Sequence, residues 1–403
     1  MYCTRQITPN IYWVGGNDRR LALFENMFPL PNGVSYNSYL IMDEKVALLD
    51  TVDSSITRQF FENIDHVLNG RSIDYLVVNH MEPDHCANID ELCRRFPGMK
   101  IVGNQKTFQM IRQFYDFDIE SRIYEVREKD RLDLGSHRLC FYFAPMVHWP
   151  EVMFTYEEEQ KVLFTADAFG TFGALSGNLF SDEVDFEDVF LDEARRYYTN
   201  IVGKYGMQVQ AALKKLSDVE IRILCPLHGP VWRKDLDYIL SKYDYWSRYA
   251  PEKNGVLVAY ASMYGNTENV ANILANRLAE KGVQDIRVYD VSKTHASTVI
   301  ADAFKYSHMV LASPTYNMGL YFGMEALLRD MAALNLQKRK VALVGNGSWA
   351  PASHTVMQKL LSEMKEMELL AQPFVIRSGL KASQLEELSA LADTIAESVL
   401  GGR

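Results

Sequence analysis

Residues 73–85 read Ile73-Asp74-Tyr75-Leu76-Val77-Val78-Asn79-His80-Met81-Glu82-Pro83-Asp84-His85. The first six form a short apolar, β-branched run of the kind that fills a buried strand. Four side chains able to bind metal, His80, Glu82, Asp84 and His85, then leave the end of that strand within six residues. Carboxylates and imidazoles crowded this closely must be paired or solvated, which makes a metal ion a natural partner. Taken alone, the heptapeptide 79–85 also fits a solvated acidic loop with incidental histidines. The rest of the chain decides between the two.

Upstream, 11–14, 38–41 and 46–49 read as strands, Asp43-Glu44-Lys45 as a polar turn and 56–68 as a helix. Downstream, 100–102, 123–126, 138–143, 152–156 and 161–165 continue a strand-rich pattern with helices between. This alternation predicts sheets layered between helices. Three further candidates follow strands in the same way. His148 lies in Ala144-Pro145-Met146-Val147-His148-Trp149-Pro150, Asp167 follows 162–165, and His228 lies in Leu224-Cys225-Pro226-Leu227-His228-Gly229 after 221–223. Strand-end loops on a rigid scaffold are where ligands are usually mounted. Each residue singly has an ordinary structural reading, as a satisfied histidine or a turn aspartate. Together they give H-x-E-x-D-H, then 62 residues to His148, 18 to Asp167 and 60 to His228.

A chain of 403 residues exceeds one ordinary core and predicts two domains. Its composition, 48% hydrophobic and 23% charged, is that of a globular protein, and a net charge of -10 argues against nucleic acid or an anionic membrane as partner. No signal-like opening or membrane-length apolar run is present. The cysteines, Cys3, Cys86, Cys93, Cys140 and Cys225, are scattered without a C-x-x-C pair, the pattern of reduced thiols in a cytoplasmic protein. Cys86, beside the ligand loop, reads as a small buried filler.

The rhythm changes after a helix at 235–249 and the linker Ala250-Pro251-Glu252-Lys253-Asn254-Gly255. Strands at 256–261, 286–291, 309–313, 341–345 and 374–377 alternate with helices at 267–280, 298–306, 323–333, 353–364 and 383–400. Such βα units imply an open parallel sheet with helices on both faces, and the flavodoxin-like order is the natural candidate. The loop Ser262-Met263-Tyr264-Gly265-Asn266-Thr267 leads straight into a helix, where hydroxyls and backbone N–H groups cradle a phosphate. It carries no lysine, which suits a monophosphate, and it is not a Walker A sequence. By itself it also fits a helix-capping loop without a ligand. The next loops, Pro314-Thr315-Tyr316-Asn317 and Gly345-Asn346-Gly347-Ser348-Trp349, offer small residues for close approach and aromatic rings to cover a flat cofactor. Three such loops in this order point to FMN.

This ligand string followed by a flavodoxin-like half resembles the flavodiiron proteins (A-type flavoproteins), and the resemblance covers nearly the whole chain. It implies an α/β protein with a metallo-β-lactamase-like αββα sandwich over 1–250 and a flavodoxin-like five-stranded parallel sheet over 251–403. It further implies two iron ions, one held by His80, Glu82 and His148, the other by Asp84, His85 and His228, with Asp167 between them. Glu82 stands where the zinc hydrolases of this fold carry a third histidine, and a carboxylate there favours iron or manganese. The stretch Leu191-Asp192-Glu193-Ala194-Arg195-Arg196-Tyr197-Tyr198-Thr199-Asn200 resembles the family's helix over the metal pocket, so that Tyr197 or Tyr198 is expected to hydrogen-bond the substrate.

The implied activity is reduction of O2 to water, of NO to N2O, or both, by a cytoplasmic scavenger. Reduced FMN holds two electrons and two ferrous ions one each, enough for O2 and more than two NO molecules need. A head-to-tail homodimer or dimer of dimers would bring each flavin, with Trp349 beside it, to the partner's metals. The chain ends Leu400-Gly401-Gly402-Arg403 with no C-x-x-C rubredoxin extension, so a separate rubredoxin, or reduced F420, is the expected electron donor. Two rival readings are a metallo-β-lactamase-type hydrolase with a fused flavodoxin module, and a flavin and iron redox or gas sensor.

Overall fold

The computed structural model describes residues 1–401. The chain divides into two compact units, Met1–Tyr198 with Met207–Asp244, and Thr199–Gly206 with Tyr245 onward. In the first unit a seven-stranded sheet runs Arg5–Thr8, Ile11–Trp13, Tyr39–Ile41, Ala47–Leu49, Tyr75–Val77, Lys100–Gly103, Ile123–Glu125. A five-stranded sheet runs Arg131–Asp133, Arg138–Phe143, Met153–Glu157, Val162–Phe164, Ile223–Cys225. Tyr39–Ile41, Ala47–Leu49 and Val162–Phe164 are buried at every residue, as strands covered on both faces are.

Register brings the candidate ligands to common edges. Ala47–Leu49, Tyr75–Val77 and Lys100–Gly103 run parallel, as do Val162–Phe164 and Ile223–Cys225, so the loops after Val77, Phe164 and Cys225 leave from carboxyl ends. Phe143 opposes Met153 and Thr155 opposes Phe164, which puts the 144–152 loop at the same end as Asp167. Asn79 links the two sheets: its carbonyl accepts from the Met153 N–H at 3.1 Å and its Oδ1 from the Thr155 hydroxyl at 2.6 Å. Asp50, at the end of Ala47–Leu49, accepts from the Asn79 N–H (2.7 Å), Asn79 Nδ2 (2.8 Å) and the His80 N–H (3.1 Å).

The second unit holds a parallel sheet in the order Ile286–Asp290, Lys253–Tyr260, Tyr306–Tyr316, Arg339–Asn346, Met367–Leu369. This is the flavodoxin-like order. Along the central strands, Leu257, Leu311 and Leu343 enter one core and Val258, Val310 and Val344 the other, so both faces are covered.

The structure corrects several element readings. Asp84 and His85 lie on a short helix, Pro83–Cys86, with Pro83 in its first turn, rather than in a free loop. The third strand of the second unit spans Tyr306–Tyr316, so Pro314, Thr315 and Tyr316 belong to a strand whose end folds back on Gly319–Leu320. The fifth strand is split into Met367–Leu369 and Phe374–Ile376, both paired with Arg339–Asn346. After the helix Leu191–Tyr197 the chain widens into a π-turn, Tyr198–Val202. Among the described residues no helix is long and apolar enough to cross a membrane.

Arg339 is fully buried in the second unit, where Nε donates to the Ala303 carbonyl (2.7 Å), Nη2 to that of Phe304 (2.7 Å) and Nη1 to those of Tyr249 and Gln337 (both 2.8 Å). It ties Tyr249, just before the linker, to the end of the helix Ala296–Lys305. Arg339→Met leaves these carbonyls without their donor and is expected to destabilise the second unit by roughly 3 kcal/mol. Denaturant unfolding checks this, and an unchanged midpoint contradicts it.

Candidate metal centre and cofactor cleft

The strand-end loops gather two groups of buried ligands: His80, Glu82, His148 and Asp167, and Asp84, His85 and His228. In the first, Glu82 Oε2 lies 3.2 Å from His80 Nε2 and 3.0 Å from His148 Nε2. In the second, Asp84 Oδ2 lies 3.3 Å from Nε2 of both His85 and His228. Asp167 faces both. Its Oδ2 is 3.0 Å from His148 Nε2, while its Oδ1 is 3.2 Å from His85 Nε2 and 3.8 Å from His228 Nε2.

The donor set itself tests whether a metal pair fits. His228 Nδ1 lies 2.7 Å from the Ser35 carbonyl, which only accepts, so Nδ1 carries the proton and Nε2 presents a bare lone pair. That lone pair stands 2.9 Å from His85 Nε2. His80 Nδ1 likewise meets Glu151 Oε1 at 2.9 Å, an oxygen that also accepts from the Met81 N–H at 2.8 Å. His80 Nε2 is thereby turned toward Glu82 and Asp167. Oδ1 of Asp84 and Oδ1 of Asp167 are buried and find no hydrogen-bond donor. Lone pairs of nitrogen and anionic oxygen converge on two points, the arrangement that two cations satisfy.

The electrostatics agree. Burial opposes charge on His148, but Asp167 and Glu82 outweigh it and push the imidazole up to about 9. Burial likewise opposes charge on Glu82 and Asp167, yet the surrounding imidazoles hold both carboxyls well below the usual carboxylate range. Protons on imidazole thus stand in for the metal charge that this ligand set needs.

Of the two tyrosines, Tyr197 is fully buried with its ring 5.4 Å from that of His228, and its hydroxyl has no hydrogen-bond partner. Tyr198 packs its ring edge on Tyr243 at 4.9 Å. Cys86 is buried with its thiol toward the Met81 carbonyl, as a filler should be.

Several residues of this centre escape a reading of the sequence. Asp50 follows an apolar strand just as Asp167 does, so its signal was present. Glu151 sits three residues beyond His148 and carries no signal of its own. Glu25 caps a hairpin too short to register as strands. It is an exposed residue of the turn. Partial burial of its carboxyl, with the nearby charge of Glu82, pushes Glu25 up to about 8.

In the second unit a cleft of about 460 Å³ is lined by uncharged residues from the three predicted loops. Ser262, Met263, Tyr264, Asn266 and Thr267 contribute from the first, Pro314, Thr315, Tyr316 and Asn317 from the second, and Asn346, Gly347, Ser348 and Trp349 from the third. Gly265 and Gly345 do not line it. Gly265 has φ 87, opens the helix Asn266–Glu280 and donates its N–H to Ser262 Oγ at 3.0 Å. Gly345 is a strand residue with no room for a side chain, since a Cβ there would lie 2.9 Å from His354 Nδ1. The Thr315 hydroxyl donates to the Asn346 carbonyl (2.9 Å) and accepts from the Ala352 and Ser353 N–H groups, so it braces the third loop. Ser378, absent from the sequence reading, joins the wall, with its Oγ 2.9 Å from Ser348 Oγ and its N–H on Asn346 Oδ1. The helix N-terminus with hydroxyls fits a phosphate monoester, and the exposed rings of Tyr264, Tyr316 and Trp349 fit a planar ring system.

Comparison with known proteins agrees with both halves. Residues 34–229 match the ODP family beta lactamase model and residues 258–369 match the flavodoxin model. The chain is 32% identical over 371 residues to a nitric oxide reductase of Moorella thermoacetica, spanning 91% of each chain. Its fold superposes on rubredoxin oxygen:oxidoreductase from Desulfovibrio gigas with a TM-score of 0.93, at 27% identity and over 99% of each chain. The flavodiiron protein from Giardia intestinalis gives the same TM-score of 0.93 at 25% identity, covering 100% of this chain and 98% of that one.

Outer partners that orient metal-binding imidazoles change metal affinity when removed. Glu151→Gln weakens the acceptor that aims His80 and is expected to lower metal affinity about 10–100-fold with the fold intact. Competitive chelator titration measures this, and an unchanged affinity contradicts the assigned orientation.

Proposed function

The chain belongs to the flavodiiron proteins, and from that premise we propose that it is an oxidoreductase that reduces O2 to water, NO to N2O, or both. The observation that carries this reading is Asp167, whose two oxygens face two separate imidazole–carboxylate groups in a chain that also holds a flavodoxin cleft. His80, Glu82 and His148 would hold one iron, Asp84, His85 and His228 the other, and Asp167 would join them. The three cleft loops would hold FMN. When bound, these groups supply electrons from the flavin and a metal pair at which the gas is held and reduced.

The protein's own residues shape that chemistry. Glu82 supports iron over zinc and counts against the hydrolase reading, because hard carboxylate oxygen replaces imidazole nitrogen. Phe24 and Phe172, packed around Tyr197, give the pocket an apolar wall suited to a small uncharged gas. Tyr197, with its ring 5.4 Å from that of His228 and its hydroxyl unpaired, would donate a hydrogen bond to bound substrate. We assign residues 1–250 to the metal domain and 251–403 to the flavin domain.

The cleft exposes Tyr264 (93%), Trp349 (84%) and Met318 (63%) at its rim. Large apolar groups left in water are usual at a protein interface. They support a head-to-tail homodimer or dimer of dimers in which this rim meets the partner's metal domain. The electron donor on this reading is a rubredoxin-type protein, with reduced F420 as the second choice. Five free cysteines fit a reducing cytoplasm.

Anaerobic stopped-flow absorbance tests the activity: the fully reduced, metal- and FMN-loaded protein is mixed separately with O2 and with NO. Fast reoxidation by at least one gas is expected, and no reoxidation by either would move the sensor reading forward. Tyr197→Phe removes this donor hydroxyl and is expected to lower the rate with the preferred gas about tenfold or more at unchanged metal content. An unaltered rate assigns Tyr197 to packing alone.

A further inference from the structure

In the second unit the cofactor cleft takes its loops from the carboxyl ends of the parallel strands. A separate group of side chains meets at their amino ends. His308, near the start of the strand Tyr306–Tyr316, is 3% exposed and pairs across the ladder with Lys340 on Arg339–Asn346. Ser398, on the helix Leu385–Gly401, reaches both. Its Oγ lies 3.0 Å from His308 Nε2 and 3.1 Å from Lys340 Nζ. The other imidazole nitrogen, Nδ1, lies 2.7 Å from Ser307 Oγ. Four polar side chains from three separate elements thus surround one buried ring.

Hydrogen-bonding capacity fixes the direction of each contact. An ammonium only donates, so Ser398 Oγ accepts from Lys340. Among the described residues the Ser398 hydroxyl has no acceptor other than His308 Nε2, so its proton points there and Nε2 is bare. The imidazole proton is then on Nδ1, held by Ser307 Oγ. Burial and the Lys340 charge push His308 down to about 4, which keeps the ring neutral at ordinary pH. A hydroxyl that donates to a neutral imidazole, itself oriented by a third group, is the arrangement that makes serine a nucleophile. Pinning a helix to a strand end needs only one such bond. A weakly basic ring takes the proton less readily, and the ammonium beside Oγ offsets this by favouring negative charge on the attacking oxygen. Ser398 and Lys340 are only half-buried, which leaves the pair open to small molecules.

We propose that Ser398 is an activated nucleophile, with His308 as its base and Lys340 as its electrostatic support, that takes acyl groups from small activated esters. Ser398 Oγ forms a bond to the acyl carbon while His308 Nε2 takes the hydroxyl proton. The C–O bond to the alcohol or phenol breaks, the leaving oxygen keeps the electron pair, and His308 returns the proton to it. Water then attacks the acyl-serine in the same way: His308 takes a proton from water, the free acid departs, and Oγ regains its proton. Nothing is oxidised or reduced, so this activity needs neither the flavin nor the metal centre.

Mixing the full-length chain with p-nitrophenyl acetate tests this, with nitrophenolate release followed by absorbance and the acetylated peptide mapped by mass spectrometry after an acid quench. The expected result is a stoichiometric burst of nitrophenolate with acetyl on Ser398. Ser398→Ala is expected to abolish the burst and His308→Gln to slow it about 100-fold. Lys340→Met, which leaves the buried ring in place, is expected to slow it about tenfold. Acetyl on Lys340 or on other surface amines, with none on Ser398, would overturn the proposal. So would a burst rate unchanged in Lys340→Met, a half-buried position whose replacement is expected to fold even if His308→Gln does not.

Discussion

Three carboxylates and four imidazoles are crowded into a space that water does not reach. Nothing in ordinary packing sustains that: buried carboxylates lose hydration, and close like charges raise the cost further. The ion pairs of Glu82, Asp84 and Asp167 are with histidines, so metal or protons on those histidines supply the balancing charge. This one constraint explains much of the surrounding structure. Asp50 and Asn79 join the strand ends of the two sheets, Ser35 and Glu151 fix which nitrogens carry protons, and the loops that bear ligands are held to rigid edges. A site of this kind couples its own occupancy to the stability of the unit that carries it.

Much of that was legible in the sequence because ligand chemistry and strand rhythm coincide. His80, His148, Asp167 and His228 each follow an apolar run, and a parallel sheet brings such positions together. The flavodoxin-like strand order also followed from regular alternation of strand and helix. Other features depended on contacts that no local pattern encodes. Pro314 reads as the end of a strand, yet it stays in the parallel ladder opposite Asn346, and the strand continues to Tyr316. Gly345 reads as a loop residue open to a cofactor, but its missing Cβ makes room for His354 beneath the cleft. Glu25 lay beyond reach because two-residue strands carry no periodicity.

The two units solve opposite electrostatic problems. The metal centre concentrates charge that must be neutralised from outside the polypeptide. The cofactor cleft is lined by no charged side chain and relies on hydroxyls, backbone N–H groups and a helix N-terminus to hold an anion. A hydrolase needs only the first and an electron carrier only the second. Their presence in one chain is what makes gas reduction the better account of both.

The central claim is that Asp167 joins two metal ions within one chain. Mössbauer spectroscopy of the iron-loaded, oxidised protein tests this most directly, because two ferric ions sharing a bridging ligand couple magnetically. The account predicts two irons per chain in a coupled pair with a diamagnetic ground state. A single iron per chain, or two magnetically isolated ferric ions, would contradict it.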